Sequence, residues 1–160
     1  MTVCILGDVV AALHLQGIRK LIIVNGHGGN SFKNMIRDLS VDFPDFLIAI
    51  TNWYGIVPQE GYFENKDDHA GEMETSVMMY YHPELVNLEE AGEGASKPFA
   101  LSSLNAQIAW LPRYWSKVSA DTGIGDPRKS TPEKGERYAK AVIEKLALLF
   151  TEIGSKEVYL

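Results

Sequence analysis

The chain has 160 residues, 46% hydrophobic and 22% charged, an ordinary composition for one globular domain with a substantial core. A net charge of −6 and a pI near 5.2, with no basic stripe to neutralise phosphates, argue against nucleic acid as a main partner. With one cysteine, no apolar run of about 18 residues and no secretory signal, we expect a cytoplasmic protein that does not bind membranes, a single domain over residues 1–160.

A helical pattern opens the chain. Ile5, Val9 and Leu13 lie on one face, and Gly17 is placed as a C-cap. Because a doubly wound α/β domain normally has strands before this point, we expect that an N-terminal portion of the fold is absent.

Residues 21–24 (L-I-I-V) predict a strand that is buried on both faces of a parallel sheet. The apolar period of residues 31–39 predicts an amphipathic helix, with Asn30 or Ser31 as its N-cap. Between them, residues 24–30 read V-N-G-H-G-G-N. This loop therefore lies where open α/β sheets bind ligands, at the carboxyl end of a strand and the amino end of a helix.

The histidine of this loop, His27, has three interpretations. A glycine-rich loop before a helix can cradle a phosphate, but the spacing here is G-x-G-G and no Gly-Lys-Ser/Thr follows. The ring can also be purely structural in a tight turn. Metal ligation is favoured, because a neutral imidazole is the commonest metal ligand among side chains.

A second buried strand is predicted over residues 46–50, which completes a βαβ unit. Residues 52–68 then form a long loop with several aromatic side chains, Trp53 among them. Such a loop is either functional or a surface loop anchored by its aromatic residues.

Residues 67–76 (D-D-H-A-G-E-M-E-T-S) form the second chemical cluster. A helix is predicted over residues 71–81, ended by Pro83, so His69 stands just before the helix and Glu74 about one turn into it. Alternatively, these acids form a solvated first turn, since carboxylates favour helix amino ends.

The last third holds an aromatic patch around Trp110 and Trp115, which is core, pocket wall or subunit contact. Ser130-x-x-Glu133, with Pro132 in the first turn, then predicts a helix start. An apolar stripe runs to Ile153, and Gly154 is placed to stop this structural helix.

Taken together, the motifs resemble the creatininase (creatinine amidohydrolase) family. They are residues 24–30, residues 68–76, and G-I-G-D-P at 123–127 with E-K-G-E at 133–136, in the family's order over residues 2 to about 150. The resemblance implies an α/β fold, a three-layer α/β/α domain with a mostly parallel sheet. It also implies a hydrolase centre with two zinc, manganese or iron ions that cleaves a C–N bond in a small cyclic amide, amidine or formamide, and a homo-oligomer, often a hexamer.

The resemblance also assigns roles to residues of this chain. His27 and Glu74 correspond to metal ligands. His69 corresponds to the residue that transfers a proton to the substrate, with Asp68 or Glu72 orienting it. The substrate contacts are expected from the residues themselves: Gly28, Gly29 and Asn30 in the loop where the backbone can approach a ligand closely, and Trp53 as a wall for a flat substrate. Creatininase itself has a tyrosine and a glutamate where this loop has Gly28 and Gly29, which points to the formamide hydrolase-like branch.

Family members carry an upstream Glu-x-His followed by an Asp, which supply about half of the metal ligands. This chain has no Glu-x-His, so it corresponds to the C-terminal two-thirds of a member. Two alternatives to an active hydrolase therefore stay open, a catalytically incomplete remnant or oligomer-forming subunit, and a phosphate- or nucleotide-binding module.

Overall fold

The computed structural model describes residues 2–66 and 68–159, without the side chains of residues 2–4. Its helices are α1 (Thr2–Leu15), α2 (Lys33–Asp42), α3 (Glu72–Tyr81), α4 (Ser102–Asn105), α5 (Trp115–Val118) and α6 (Pro132–Ser155), and its strands are β1 (Lys20–Asn25) and β2 (Leu47–Asn52). The chain divides into two compact units, Met1–Pro58 with Val142–Leu160, and Gln59–Ala141. The single domain over residues 1–160 stays a prediction.

The first unit contains the predicted βαβ arrangement. β1 and β2 pair in parallel, in a register that runs from Lys20 opposite Leu47 to Asn25 opposite Asn52. Val10, Leu39 and Phe46 form the buried core on which α1, α2 and the start of β2 pack. Both strands therefore end at the same level, and their last residues, Asn25 and Asn52, are neighbours.

Gly17 has a φ of +83°, so the predicted C-cap is confirmed in the conformation that favours glycine. The predicted N-cap of α2 is wrong. The helix begins at Lys33, and Phe32 occupies the cap position without a side-chain hydrogen bond. Asn30 is used elsewhere, since its side chain donates to Oδ1 of Asn25.

In the second unit, α3 confirms the helix predicted over residues 71–81, with Gly71 at its N-cap and Pro83 just beyond its end. The predicted loop before it contains one short 3-10 turn, Trp53–Gly55, and Asp67 lies outside the described residues. The ring of Tyr138 packs edge-on against Tyr62 and Phe63, at centroid distances of 5.4 and 5.1 Å. Part of the aromatic loop is therefore anchored to α6 within this unit.

Close packing fixes the start of α6 against α3. A Cβ at Gly135 would lie 1.9 Å from the carbonyl oxygen of Ser76, so the two backbones meet where only glycine fits. The capping residue is Thr131, whose Oγ1 accepts the N–H of Lys134 (3.2 Å), and the prediction of Ser130 is wrong by one position. Gly154 lies inside the helix and does not stop it, because α6 continues to Ser155.

These elements confirm the predicted α/β class with a parallel sheet. Among the described residues, no helix combines the length and the apolar character that crossing a bilayer requires.

Candidate functional site

The glycine loop after β1 is organised by the side chain of Asn25, which is 2% exposed. Its Nδ2 donates to the carbonyl of His27 (2.9 Å) and to Oδ1 of Asn52 (2.8 Å). Its Oδ1 accepts from the N–H of His27 (3.3 Å) and from Nδ2 of Asn30 (3.0 Å). One buried amide therefore ties both strand ends to both ends of the loop.

The His27 ring folds back over the loop. Its Nδ1 accepts the backbone N–H of Gly29 at 3.0 Å. A Cβ at Gly29 would lie 2.9 Å from Cε1 of the ring, so a side chain there would push the imidazole away. Gly29 therefore supplies both a donor and the space that lets the ring lie over the turn.

This contact determines how His27 can bind a cation. Because Nδ1 accepts a hydrogen bond, the neutral ring carries its proton on Nε2. A cation at Nδ1 would displace Gly29, whereas a cation at Nε2 would move the proton to Nδ1, which then could no longer accept. Cation binding at either nitrogen therefore breaks the His27–Gly29 hydrogen bond.

Two aromatic residues brace the same loop. The indole Nε1 of Trp53 donates to the carbonyl of Gly26 (3.3 Å). The hydroxyl of Tyr54 lies 3.8 Å from the position that a Cβ would take at Gly28. The predicted substrate contacts Gly28, Gly29, Asn30 and Trp53 are thus all parts of one loop structure, and their contact with a substrate stays a prediction.

The second predicted cluster begins with a rigid turn at His69. The N–H groups of Asp68 (3.1 Å) and His69 (2.9 Å) both donate to the carbonyl of Ile124. The N–H of Ile124 in turn donates to the carbonyl of His69 (2.8 Å). Ala70 follows with a φ of +52°, in the left-handed region, and its N–H donates to Oε2 of Glu74 (2.7 Å). The G-I-G-D-P motif therefore holds the His69 turn in place.

The side chains of Asp68 and His69 meet an arginine and an aromatic ring. Nη2 of Arg113 donates to Oδ2 of Asp68. The imidazole of His69 lies 4.7 Å from the ring of Trp115, centroid to centroid. The carboxylate predicted to orient His69 is thus paired with Arg113, and its orienting role stays a prediction.

Glu72 is fully buried and forms the centre of a polar network. Its Oε2 accepts the backbone N–H groups of Glu64 (3.0 Å) and Asn65 (2.8 Å), and its Oε1 accepts Nζ of Lys134 (2.6 Å). Nζ of Lys134 also donates to the carbonyl of Lys129 (2.8 Å). These contacts join α3 to residues 64–65 and to Lys134 of α6. None of them reaches His69, and the predicted role of Glu72 in orienting that ring stays a prediction.

The charges around Lys134 stabilise one another. Hydrogen bonds to Glu72 and Glu64 raise the pKa of Lys134 above its ordinary value. Hydrogen bonds from Lys129 and Lys134 lower the pKa of Glu64. Lys134 is therefore a charged structural partner of Glu72.

Each unit thus holds part of the predicted site. His27, Gly28, Gly29, Asn30 and Trp53 lie in the first, and Asp68, His69, Glu72 and Glu74 in the second. Over residues 2–66 and 68–159, no group of three or more His, Cys, Asp or Glu side chains is arranged to hold a metal ion. The sequence reasoning missed Asn25, Arg113 and Lys134. For Asn25 a signal existed, because asparagine is unusual at the end of a buried strand.

Comparisons with known proteins bear on these motifs. The profile of the creatininase family, described as creatinine amidohydrolase, matches residues 2–150. A crystal structure of a candidate creatinine amidohydrolase from Bacteroides fragilis is 60% identical, with a TM-score of 0.94 over 99% of this chain and 63% of that chain. A mutant creatininase of Zn-Zn type is 22% identical, with a TM-score of 0.73 over 92% of this chain and 61% of that chain.

Among curated proteins, the mycofactocin precursor peptide peptidase of Mycobacterium tuberculosis is 30% identical over 137 residues. The match covers 79% of this chain and 45% of the peptidase, so the chain spans about half the length of that relative. Another solved creatininase of the same fold is described as an Mn form.

Proposed function

This chain belongs to the creatininase family, whose members are hydrolases, and we propose that it carries part of a metal-dependent amidohydrolase centre. The proposed reaction is hydrolysis of a C–N bond in a small cyclic amide, amidine or formamide. One observation carries the proposal: the family match spans both histidine motifs, and each histidine lies in a turn built around it.

The predicted ligands, a histidine and a glutamate, have side chains that bind divalent metals. Imidazole nitrogen and carboxylate oxygen are donors that zinc and manganese accept, and solved creatininases are described in Zn-Zn and Mn forms. We propose His27 as a ligand in the first unit and Glu74 as a ligand in the second. When bound, the metal supplies an activated water and polarises the scissile carbonyl or amidine.

The chain's own residues supply the remaining steps. His69, fixed by Ile124, would give a proton to the leaving nitrogen as general acid. Asp68, the residue before it in the chain, would orient that imidazole once its carboxylate is released from Arg113. Gly28, Gly29 and Asn30 would offer backbone and amide groups to a substrate, and Trp53 a flat apolar wall.

Metal content tests this proposal. The purified chain is incubated with Zn²⁺ or Mn²⁺, desalted and measured by elemental analysis. We expect His27→Ala to lose the retained metal, because an imidazole ligand is removed. His82→Ala is the matched control, since His82 is an exposed histidine paired with Glu84, and it should keep the metal. Equal metal in His27→Ala and wild type would contradict the ligand assignment.

A second candidate function is a catalytically incomplete family member that forms oligomers. The chain spans 45% of the peptidase and 63% of the Bacteroides protein, so the match by itself does not carry the activity of a whole relative over to this chain. This second candidate predicts well under one ion per chain in the wild type and no hydrolysis of creatinine or formamides. We also propose that the chain forms a homo-oligomer. The exposure of two large apolar side chains, Trp110 (86%) and Ile108 (78%), supports this proposal. Analytical ultracentrifugation would measure the oligomeric state.

A further inference from the structure

A cation and an aromatic ring lie directly beside His69 in the second unit. The guanidinium carbon of Arg113 is 5.6 Å from the centroid of the Trp115 ring. The same ring is 4.7 Å from the imidazole of His69. The Trp115 ring therefore contacts both the Arg113 guanidinium and the imidazole of His69, the predicted general acid.

Arg113 has hydrogen-bonding capacity to spare. A guanidinium carries five N–H donors in a planar fork. Among the residues that the structure describes, only Asp68 accepts from it, and only through Nη2. The side chain is 39% exposed and that of Asp68 is 49% exposed, so the remaining donors can reach a solute.

We propose that Arg113 and Trp115 form a recognition subsite for a substrate that carries a carboxylate close to the amide being hydrolysed. The carboxylate takes the fork of Arg113, because two oxygens in a plane match two parallel N–H groups. The planar amide lies against Trp115, which places its nitrogen on the side of His69. That the substrate contains an amide follows from the proposed function. That it carries a carboxylate is inferred from Arg113.

Asp68 is an internal competitor in this arrangement. Its carboxylate already holds one amino group of the fork, as a substrate carboxylate would. Removing the charge of Asp68 therefore leaves Arg113 more available, whereas removing Arg113 leaves no cation at this position. The two substitutions should change carboxylate affinity in opposite directions.

The test uses the full chain and two probes, N-acetylglycine and its neutral amide, N-acetylglycinamide. Binding is followed by the NMR signals of the tryptophan indole N–H groups, with Trp115 assigned from Trp115→Phe. We expect the wild type to bind N-acetylglycine about tenfold more tightly than the amide, the lower end of the range for a charge-assisted hydrogen bond. Arg113→Gln should abolish this preference. Asp68→Asn should strengthen N-acetylglycine binding by about two- to fivefold, the range for an exposed ion pair.

Lys117→Gln is the matched control. Lys117 makes the same kind of contact as Arg113, 5.5 Å from the ring centroid of Tyr114, a ring with no described contact to His69. It should leave the preference unchanged. Equal affinity of the wild type for both probes, binding of neither, or a preference that survives in Arg113→Gln would each overturn the subsite.

Folding and function are separated by further readouts. If Arg113→Gln does not fold, the gain in Asp68→Asn decides the proposal. Metal retention that depends on His27 does not involve Arg113, so the hydrolase proposal survives a failed subsite. Carboxylate binding without metal retention would in turn support the subsite and contradict the metal centre.

Discussion

The loop at His27 and the turn at His69 each hold a histidine in a fixed place, but different interactions hold them. Asn25 builds the first from neutral hydrogen bonds to residues at most 27 positions away. The second is held by backbone hydrogen bonds to Ile124. The helix α3 that follows it is anchored by a buried carboxylate, Glu72, whose cationic partner Lys134 is 62 positions away. Burying an amide whose hydrogen bonds are all made costs little free energy. Burying an ion pair removes the hydration of two charges, and their mutual attraction must offset that loss. The second region should therefore be the more sensitive to loss of one partner.

The largest expected effect is on Lys134. Lys134→Met keeps most of the length of the side chain and removes its charge, which leaves the Glu72 carboxylate buried without a cation. We expect the free energy of unfolding to fall by about 3 kcal/mol. Urea unfolding at neutral pH measures the loss, and faster exchange of the Asn65 amide, which ends on Glu72, locates it.

Two further variants decide whether charge is the cause. Adding Glu72→Gln to Lys134→Met should recover most of the loss, because both charges are gone and the glutamine oxygen still accepts the two amides. Lys129→Met should change little, since Lys129 and its partner Glu64 are more than half exposed. A double variant as unstable as Lys134→Met would show that packing, not charge, holds this region.

The sequence predicted the first region better than the second for a physical reason. Hydrophobic periodicity and glycine placement are local, so β1, α2 and the loop at His27 follow from about 20 consecutive residues. The partners of Asn25 also lie within the same βαβ unit. Even here the predicted N-cap of α2 was wrong. The side chain of Asn30 can cap the helix or bind Asn25, and hydrophobic periodicity does not show that it binds Asn25.

In the second region the deciding contacts join distant segments. The family resemblance predicts that Glu72 orients His69, and that role stays a prediction. Nothing in residues 68–76 reveals that Lys134 and the amides of residues 64–65 surround its carboxylate. Ser130 and Thr131 show the same limit. Both carry a hydroxyl at the start of α6, but Ser130 is buried and donates to the carbonyl of Glu72, so Thr131 makes the cap.

An intermediate effect is expected at Asn25, the equivalent residue of the first region. Asn25→Ala removes the amide that both strand ends and both ends of the loop use, and it leaves buried polar groups unpaired. We expect a loss of about 2 kcal/mol in the free energy of unfolding, with faster exchange of the Gly29 and Asn30 amides. Asn34→Ala is the control, because Asn34 is exposed and its described partner is Arg37 alone. Equal losses in the two variants would remove the distinction between the regions.

The smallest effect is on the acid side of the stability profile, at Asp126 in the G-I-G-D-P motif that supports the His69 turn. Hydrogen bonds from Arg128 hold the pKa of Asp126 at about 2, below its ordinary value of 3.8. Because the pKa is lower in the folded state, this carboxylate contributes stability above pH 4 that is lost as the pH falls from about 4 to about 2.

Asp126→Asn keeps the acceptor for the N–H of Arg128 but has no charge to titrate, so unfolding measured between these values should depend less on pH. Arg128→Gln removes the largest cause of the shift, the side-chain hydrogen bonds, but keeps the backbone N–H of residue 128. It should therefore flatten the same part of the profile by less than Asp126→Asn does, and adding it to Asp126→Asn should change nothing further. An unchanged acid profile in Asp126→Asn would mean that the charge of this motif does not support the second region, leaving its backbone bonds to His69 as the support.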